Sequence, residues 1–263
     1  MSIKVTRSAT NRFRLEKWHE FLRWIDDHSD SRWVFRGHGD TRFTLVPTVG
    51  RNPKYNPANE QAILELFKLR APEFFGTSDK LTLDLLAIAQ HHGVPTRLLD
   101  WTSNPLVATY FAISATPAAR SAKLVLPSGR SSSTVVSVTP SHSDVDALVM
   151  AVRLGSAMKV TPEADPFGLK EVKFFWPRAV TSRITDQGGL FSIHPVPNVP
   201  WDPYARTESS AKDTFRIPGD MRNFFAKRLF YLGFNPQQIM GGLDGLGARL
   251  AWQYGRGIGL GTF

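Results

Sequence analysis

The 263-residue chain contains no cysteine. Disulfide bonds, thiolate catalysis and cysteine-based zinc sites are therefore excluded. No apolar run approaches the roughly 18 residues that a membrane-spanning helix needs, and the first residues lack the apolar stretch of a secretory signal. We therefore expect a cytoplasmic protein that has no membrane partner.

Several well-known site motifs are also missing. The patterns GxGxxG, GxxxxGK[ST] and GxSxG do not occur in a credible context, so nothing favours a Rossmann fold, a P-loop or a hydrolase nucleophile elbow. The seven histidines are scattered and show no HExxH spacing. We therefore predict that the protein holds no metal.

Positive charge is plentiful but dispersed. The chain has 32 basic and 23 acidic residues, a net charge of +9 and a pI near 10.0. Such a balance favours binding to polyanions, yet no basic run is longer than a pair such as Lys227-Arg228. Two interpretations stay open, namely contact with RNA or DNA, or a basic surface that has no nucleic-acid ligand.

Apolar periodicity predicts helices early and late in the chain, around a central group of short strands. Trp18, Phe21, Leu22 and Ile25 form one helical stripe, and Asn59 is the expected N-cap of a helix over about 60–75. Further helices are predicted over 81–92, from Asn104-Pro105 onward, and after Pro218. The small, serine-rich stretch 115–133 is expected to be an exposed loop, and strands are predicted at 134–138, 172–176, 190–193 and 214–217. This order favours an α+β fold over regular βαβ alternation.

The densest polar segment is QHHGVPTRLLDWTSNP at 90–105, between a helix end and a helix start. Its polar side chains emerge beside a helix N-terminus, where backbone N–H groups favour an anion. The candidates are Arg97, Asp100, Trp101, Thr102, Ser103 and Asn104.

Each candidate also has a structural alternative. Asp100 could pair with Arg97, Asn104 could serve only as an N-cap, and Trp101 could be a core residue rather than a stacking wall. Adjacent helical side chains diverge by about 100°, so His91 and His92 cannot enter one pocket. His92 continues the apolar stripe, and we expect it to point inward, as a core imidazole or at the floor of the site.

A second cluster follows a β-prone run that ends in Arg36-Gly37-His38. Gly37 and Gly39 permit a close backbone approach or positive φ. Arg36 is suited to a bidentate grip on a phosphate or carboxylate, or to a structural ion pair with Asp40 or Asp100.

These segments resemble the FRG domain, a bacterial family named after its Phe-Arg-Gly tripeptide. The resemblance rests on FRG at 35–37, QHHGVPTRLLDWTSNPLVATYFA at 90–112, RITDQGGLFSIHP at 183–195 and LDGLGARL at 243–250. It covers roughly residues 18–255, which we take as the domain, with tails at 1–17 and 256–263.

The layout of the motifs is in turn similar to that of ADP-ribosyltransferases. This similarity implies a single domain with a split, mostly antiparallel central sheet flanked by helices, and NAD as the cofactor. The resemblance places Arg36 on the pyrophosphate, Thr102 and Ser103 on the ribose, and Gln187 at the acceptor. The family's catalytic glutamate is replaced by Gly189, and Asp186, Asp100 or His92 could substitute for it. The implied cofactor-binding residues are Arg36, Gly37, His38, Arg97, Trp101, Thr102, Ser103 and Asn104, and the implied catalytic residues are Gln187, Asp100 and His92.

The resemblance further implies an NAD-cleaving or ADP-ribosylating toxin or anti-phage effector. Its partners would be NAD or a related nucleotide, a nucleic-acid or protein acceptor, and a cognate antitoxin or immunity protein. Two alternatives stay open: a nucleic-acid-binding effector or nuclease, and a non-catalytic nucleotide sensor.

Overall fold

The computed structural model describes residues 7–75, 81–117, 119–125, 131–178, 188–205 and 213–259. The helices of this part are α1 (Arg7–Asp27), α2 (Pro57–Arg70), α3 (Pro72–Phe75), α4 (Thr82–His91), α5 (Pro105–Ser114), α6 (Arg222–Tyr231), α7 (Pro236–Met240) and α8 (Gly242–Arg256). Its strands are β1 (Trp33–His38), β2 (Leu98–Thr102), β3 (Arg120–Val125), β4 (Ser131–Val138), β5 (Ala147–Arg153), β6 (Lys173–Phe175), β7 (Gly189–Ile193) and β8 (Thr214–Ile217). No helix within these ranges is long and apolar enough to cross a membrane.

Six strands form the central sheet, in the order β6-β7-β2-β1-β5-β8, and every neighbouring pair is antiparallel. The predicted α+β class with a mostly antiparallel sheet is confirmed. Within the described strands, β1 and β2 are joined by one residue pair, Phe35 opposite Thr102, whereas β1 and β5 pair along six positions. The sheet therefore consists of two three-stranded halves that separate beyond this pair.

Both faces of the sheet are covered. The largest apolar core lies on one face, where Phe21 of α1 and Phe225 of α6 pack with Phe35 and with α5. On the other face a second core surrounds Trp101 and Leu190. Because residues alternate along a strand, consecutive side chains of β1 and β2 point to different cores.

Local signals explain where the elements near the sheet centre begin and end. The Asn104 side chain accepts hydrogen bonds from the N–H groups of Leu106 at 2.9 Å and Val107 at 3.4 Å, and Pro105 occupies the first turn of α5. Gly93 ends α4 with φ of +85°, a conformation that glycine adopts without steric cost. The predicted N-cap at Asn104 is confirmed.

Some local predictions are wrong. Asn56 caps α2, and Asn59 lies inside the helix, because the N-cap side chain must precede Pro57 in the first turn. The stretch 115–133 is not simply a loop, since it contains β3 and the start of β4, which form a two-stranded sheet. Leu22 was expected on the buried face of α1, but it is 38% exposed, and Trp24 is buried there instead.

Candidate functional site

A cavity of about 620 Å³ lies where the two halves of the sheet separate. Its walls come from β1, β2 and β7, from the end of α4 and from one side of α5. We name it the split-sheet pocket, and its lining includes Arg36, Asp100, Thr102, His91 and Tyr110. Most of its surface is apolar, as in pockets for small organic ligands, with a few polar groups that fix orientation.

Arg36 reaches from β1 to β2 across the separation. Its Nη1 donates a hydrogen bond to the backbone carbonyl of Asp100 and lies 4.0 Å from the Asp100 carboxylate. Its Nε is buried and has no hydrogen-bond partner among the described residues. Burial lowers the pKa of Arg36, and the Asp100 charge opposes that effect. The guanidinium therefore retains donors for a ligand.

Asp100 provides the carboxylate of the pocket. Its side chain is 69% exposed, and within the described lining it is the single acidic residue. The β2 alternation turns Asp100 toward the pocket, while Leu99 and Trp101 enter the core on the other face. A carboxylate placed here can accept a proton or stabilise positive charge on a ligand.

Thr102 and Ser103 form the junction between β2 and the start of α5. Thr102 Oγ1 accepts a hydrogen bond from the Asn104 N–H at 3.0 Å. The Ser103 N–H donates to the Gly188 carbonyl at 3.1 Å, and Ser103 Oγ lies 3.5 Å from the same oxygen. Thr102 lines the pocket, and Asn104 has its side chain engaged as the helix cap.

The glycine pair after Gln187 lies at this junction. Gly188 has φ of +56°, and a Cβ on it would lie 2.6 Å from Ser103 Oγ, so glycine is required there. Gly189 pairs with Thr102 and lines the pocket. Gln187 and Asp186 lie outside the described residues.

Gly37 packs against α5, and His38 is buried. A Cβ on Gly37 would overlap with backbone atoms of Ala108 and Ala112, so this glycine lets α5 pack directly on β1, as the sequence predicts. Burial and then the Arg36 charge lower the pKa of His38 to about 3, so its imidazole is neutral near pH 7.

Trp101 belongs to a buried hydrogen-bonded chain. Its Nε1 donates to Ser192 Oγ at 2.9 Å, and that hydroxyl lies 2.9 Å from His194 Nε2. The ring packs edge-on against Phe174 and Trp201. These are the contacts of a core residue, although Trp101 also borders the pocket. The geometry favours the core alternative over a stacking wall.

The inward orientation expected for His92 is wrong. His92 is exposed and is the C-cap residue of α4, with φ −91° and ψ 15°. Because the helix ends there, the periodicity of the apolar stripe no longer sets the direction of the side chain. His91, one residue earlier, lines the pocket instead, beside Gln90.

Arg97 lies outside the split-sheet pocket, and the predicted pairing with Asp100 is wrong. Its guanidinium donates to Glu60 from Nε at 2.9 Å and from Nη2 at 2.8 Å, and from Nη1 to the Pro166 carbonyl at 3.1 Å. It also lies 4.2 Å from the Phe167 ring centroid. The Arg97 side chain is 3% exposed, so it has no surface for a cofactor. The sequence signal that was missed is Glu60, which lies far from Arg97 along the chain.

A model of the FRG domain family matches residues 31–121. The match confirms the resemblance to the FRG domain family over these residues. The match includes Arg36, Asp100 and Thr102 and therefore most of the pocket wall, whereas β7 lies beyond it. No curated protein and no solved structure matches the chain significantly.

The described part of the chain contains no cluster of three histidine or acidic side chains that could hold a metal ion. The polar groups of the split-sheet pocket are a guanidinium, a carboxylate, an imidazole and hydroxyls. Such a set can bind phosphate and ribose groups and move protons.

Proposed function

We propose that the FRG domain binds NAD or a related nucleotide in the split-sheet pocket and cleaves the nicotinamide–ribose bond. The observation that carries this proposal is the position of Arg36, whose guanidinium spans the two halves of the sheet and keeps unused donors at a pocket of ligand size. The paired N–H donors of a guanidinium match the paired oxygens of a pyrophosphate.

The other pocket residues then have defined roles. Thr102 and Ser103, at the start of α5, would contact the ribose or a phosphate near the helix N-terminus. Tyr110 and Phe111 offer aromatic surface to a base or a nicotinamide ring. Gln187 would orient the acceptor, as the sequence resemblance implies.

Asp100 would act on the acceptor, which is water or a hydroxyl or amine of another molecule. The acceptor atom forms a bond to the ribose C1′ while the bond from C1′ to the nicotinamide nitrogen breaks. Asp100 takes the acceptor proton, and its negative charge stabilises the positive charge that develops on the ribose. His91 lies on the same pocket wall, and it replaces His92 as the imidazole of the site.

The proposed setting is that of a bacterial toxin or anti-phage effector working in the cytoplasm. Its acceptor would be a protein or nucleic acid, and a cognate antitoxin or immunity protein would restrain it. Consumption of NAD by the pure protein in a bacterial lysate would support this setting.

The test measures NAD binding by calorimetry and nicotinamide release by chromatography. We expect Asp100→Asn and Gln187→Ala each to reduce turnover by at least about tenfold, or roughly 1.4 kcal/mol in the barrier. Asp26→Asn, an exposed change on α1, is the control and should keep full activity. Full activity in folded Asp100→Asn and Gln187→Ala variants would contradict this placement of the site.

A second candidate is a non-catalytic nucleotide sensor. It is favoured by Gly189, which lines the pocket opposite Thr102 and has no side chain at the position where the resemblance to ADP-ribosyltransferases implies a glutamate. If the wild-type protein binds NAD but consumes none with protein, RNA or DNA acceptors, the sensor function replaces the catalytic one.

A further inference from the structure

A second cavity, of about 470 Å³, lies between α6, α8 and the segment around His142. Two arginines line it, Arg222 at the start of α6 and Arg256 at the end of α8, together with Trp252 and Asn223. We name it the arginine pocket. It shares no described lining residue with the split-sheet pocket, and it lies outside the residues matched by the family.

Both guanidinium groups have a structural role that uses part of their donors. Arg222 donates to the backbone carbonyl of Gly39 and, at 3.5 Å, to that of Ala115. Arg256 donates to the carbonyl of Ile113 at 3.2 Å. Cations near the last carbonyls of a helix stabilise its C-terminus, so these contacts explain why arginines lie beside the end of α5.

That role does not balance their charge. Within the described part of the chain, neither Arg222 nor Arg256 forms a salt bridge. Asp40 is paired with Arg42, and Asp146 is paired with Arg216.

Asp220 also lines the arginine pocket, but it is exposed and forms no salt bridge among the described residues. Burying positive charge without a counter-ion is unfavourable, and Arg222 is 1% exposed.

Three buried polar atoms around this cavity have no hydrogen-bond partner among the described residues. They are Arg222 Nε, Trp252 Nε1 and His142 Nε2. Burial lowers the pKa of Arg222 and the nearby charge of Arg256 lowers it further, while the charges of Asp146 and Asp40 oppose this effect. Buried donors without partners are rare in native proteins, and each calls for an explanation such as a bound ion.

We propose that the arginine pocket binds a phosphate group, either free or carried by a phosphorylated small molecule. Two guanidinium groups without a paired acid match the double negative charge of a phosphate, and their N–H forks match its oxygens. The Arg222 and Trp252 N–H groups supply donors inside the cavity, and Ser143 and Asn223 supply polar groups at its mouth.

The experiment titrates inorganic phosphate, ribose 5-phosphate and AMP into the full chain by calorimetry. We expect Arg256→Gln to weaken binding at least tenfold, because it removes one of the two charges from the edge of the site. Trp252→Phe keeps the ring and removes the N–H, and we expect it to weaken binding several-fold. Lys227→Gln is the matched control, since it removes one charge from an exposed position on α6 and should leave the affinity unchanged.

Binding of phosphate alone identifies the free ion as the ligand, and tighter binding of the esters identifies a phosphorylated small molecule. Equal affinity in wild type and Arg256→Gln, or no binding of any probe at millimolar concentration, overturns the proposal. AMP binding is repeated with Arg36→Gln, which changes the split-sheet pocket and no lining residue of the arginine pocket. NAD binding that survives Arg256→Gln separates the two sites, so that either proposal can fail without the other.

Discussion

Arg97 and Arg36 are both largely buried beside β2, and they differ in what their guanidinium groups contact. Arg97 has an acidic partner on two of its nitrogens, a carbonyl on the third and an aromatic ring on its face. Arg36 has one backbone carbonyl, a carboxylate at 4.0 Å and a buried Nε that no described residue contacts. The first environment is complete within the described protein, and the second is not.

The difference separates a structural arginine from a ligand-binding one. A buried ion pair with all its hydrogen bonds made has nothing left for a ligand, and removing one partner leaves an uncompensated charge. An arginine with unused donors beside a cavity carries a desolvation cost that a bound anion would relieve. Sequence alone treated both residues as ligand-binding candidates, Arg36 because it ends a β-prone run beside Gly37, and Arg97 because it lies in the polar segment 90–105.

The largest effect we expect at neutral pH is from breaking the Arg97 pair. Glu60→Gln leaves Arg97 buried without its counter-charge and should lower the free energy of unfolding by about 3–5 kcal/mol. Urea denaturation followed by tryptophan fluorescence measures this loss. Glu73→Gln removes an exposed partner of Arg70 and should barely change stability.

A double variant makes the test sharper. Replacing both partners, as in Glu60→Leu with Arg97→Met, removes the buried charges together and should recover much of the stability lost by Glu60→Gln. If Glu60→Gln has no effect on unfolding, or the double variant is no more stable than it, then Arg97 is not the closed structural pair that we describe.

Substitution of Arg36 should have the opposite effect on stability from breaking the Arg97–Glu60 pair. Arg36→Gln removes a poorly compensated charge, so the free energy of unfolding should stay the same or rise, while binding of NAD or ADP-ribose weakens by about 1.5–3 kcal/mol. Calorimetry on the folded variant measures the affinity. Arg153→Gln removes an exposed charge from β5 and should change neither quantity. Equal affinity in wild type and Arg36→Gln would contradict the assignment of Arg36 as a ligand-binding residue.

Much of the sheet could be predicted, because strands that are buried on at least one face have a clear local pattern. The strand Thr214–Ile217 has the predicted bounds, β7 begins one residue earlier than predicted, and β6 is one residue shorter than predicted at each end. The strand β5 was missed although ALVMAVR is strongly apolar, since a short continuous apolar run is ambiguous between strand and helix. The pairing order of the sheet depends on long-range contacts that no local pattern contains.

Site residues were predictable where a local cap or turn fixes them. Asn104-Pro105 placed the start of α5, and with it Thr102, which lines the pocket. The sequence predicted His92 rather than His91 at the site, because the direction of a side chain at a helix end depends on the residue where the helix stops. The partner of Arg97 could not be inferred, since Glu60 meets it only through the packing of α2 on the sheet.

The effect that is smallest at neutral pH concerns acid stability, and it belongs to the Arg36 side of the comparison. Burial and then the Arg36 charge lower the pKa of both His38 and His194 to about 3. In the unfolded chain each imidazole has a pKa of about 6.5. Above that pH neither state binds the proton, and below it only the unfolded state does. Stability is therefore lost as pH falls from about 6.5 toward 3, by about 1.4 kcal/mol per pH unit for each imidazole.

Urea denaturation at several pH values between 7 and 4 measures this slope. His194→Gln should remove about one imidazole's share of it, and His38→Asn serves if that variant does not fold. His19→Gln, at an exposed position on α1, should leave the slope unchanged. Arg36→Gln removes the second cause of both depressed pKa values, so folded His38 and His194 should take up protons at higher pH and the loss should level off earlier. An acid slope that Arg36→Gln does not alter would mean that burial alone holds these imidazoles neutral, and that Arg36 acts on the pocket without affecting the core beneath it.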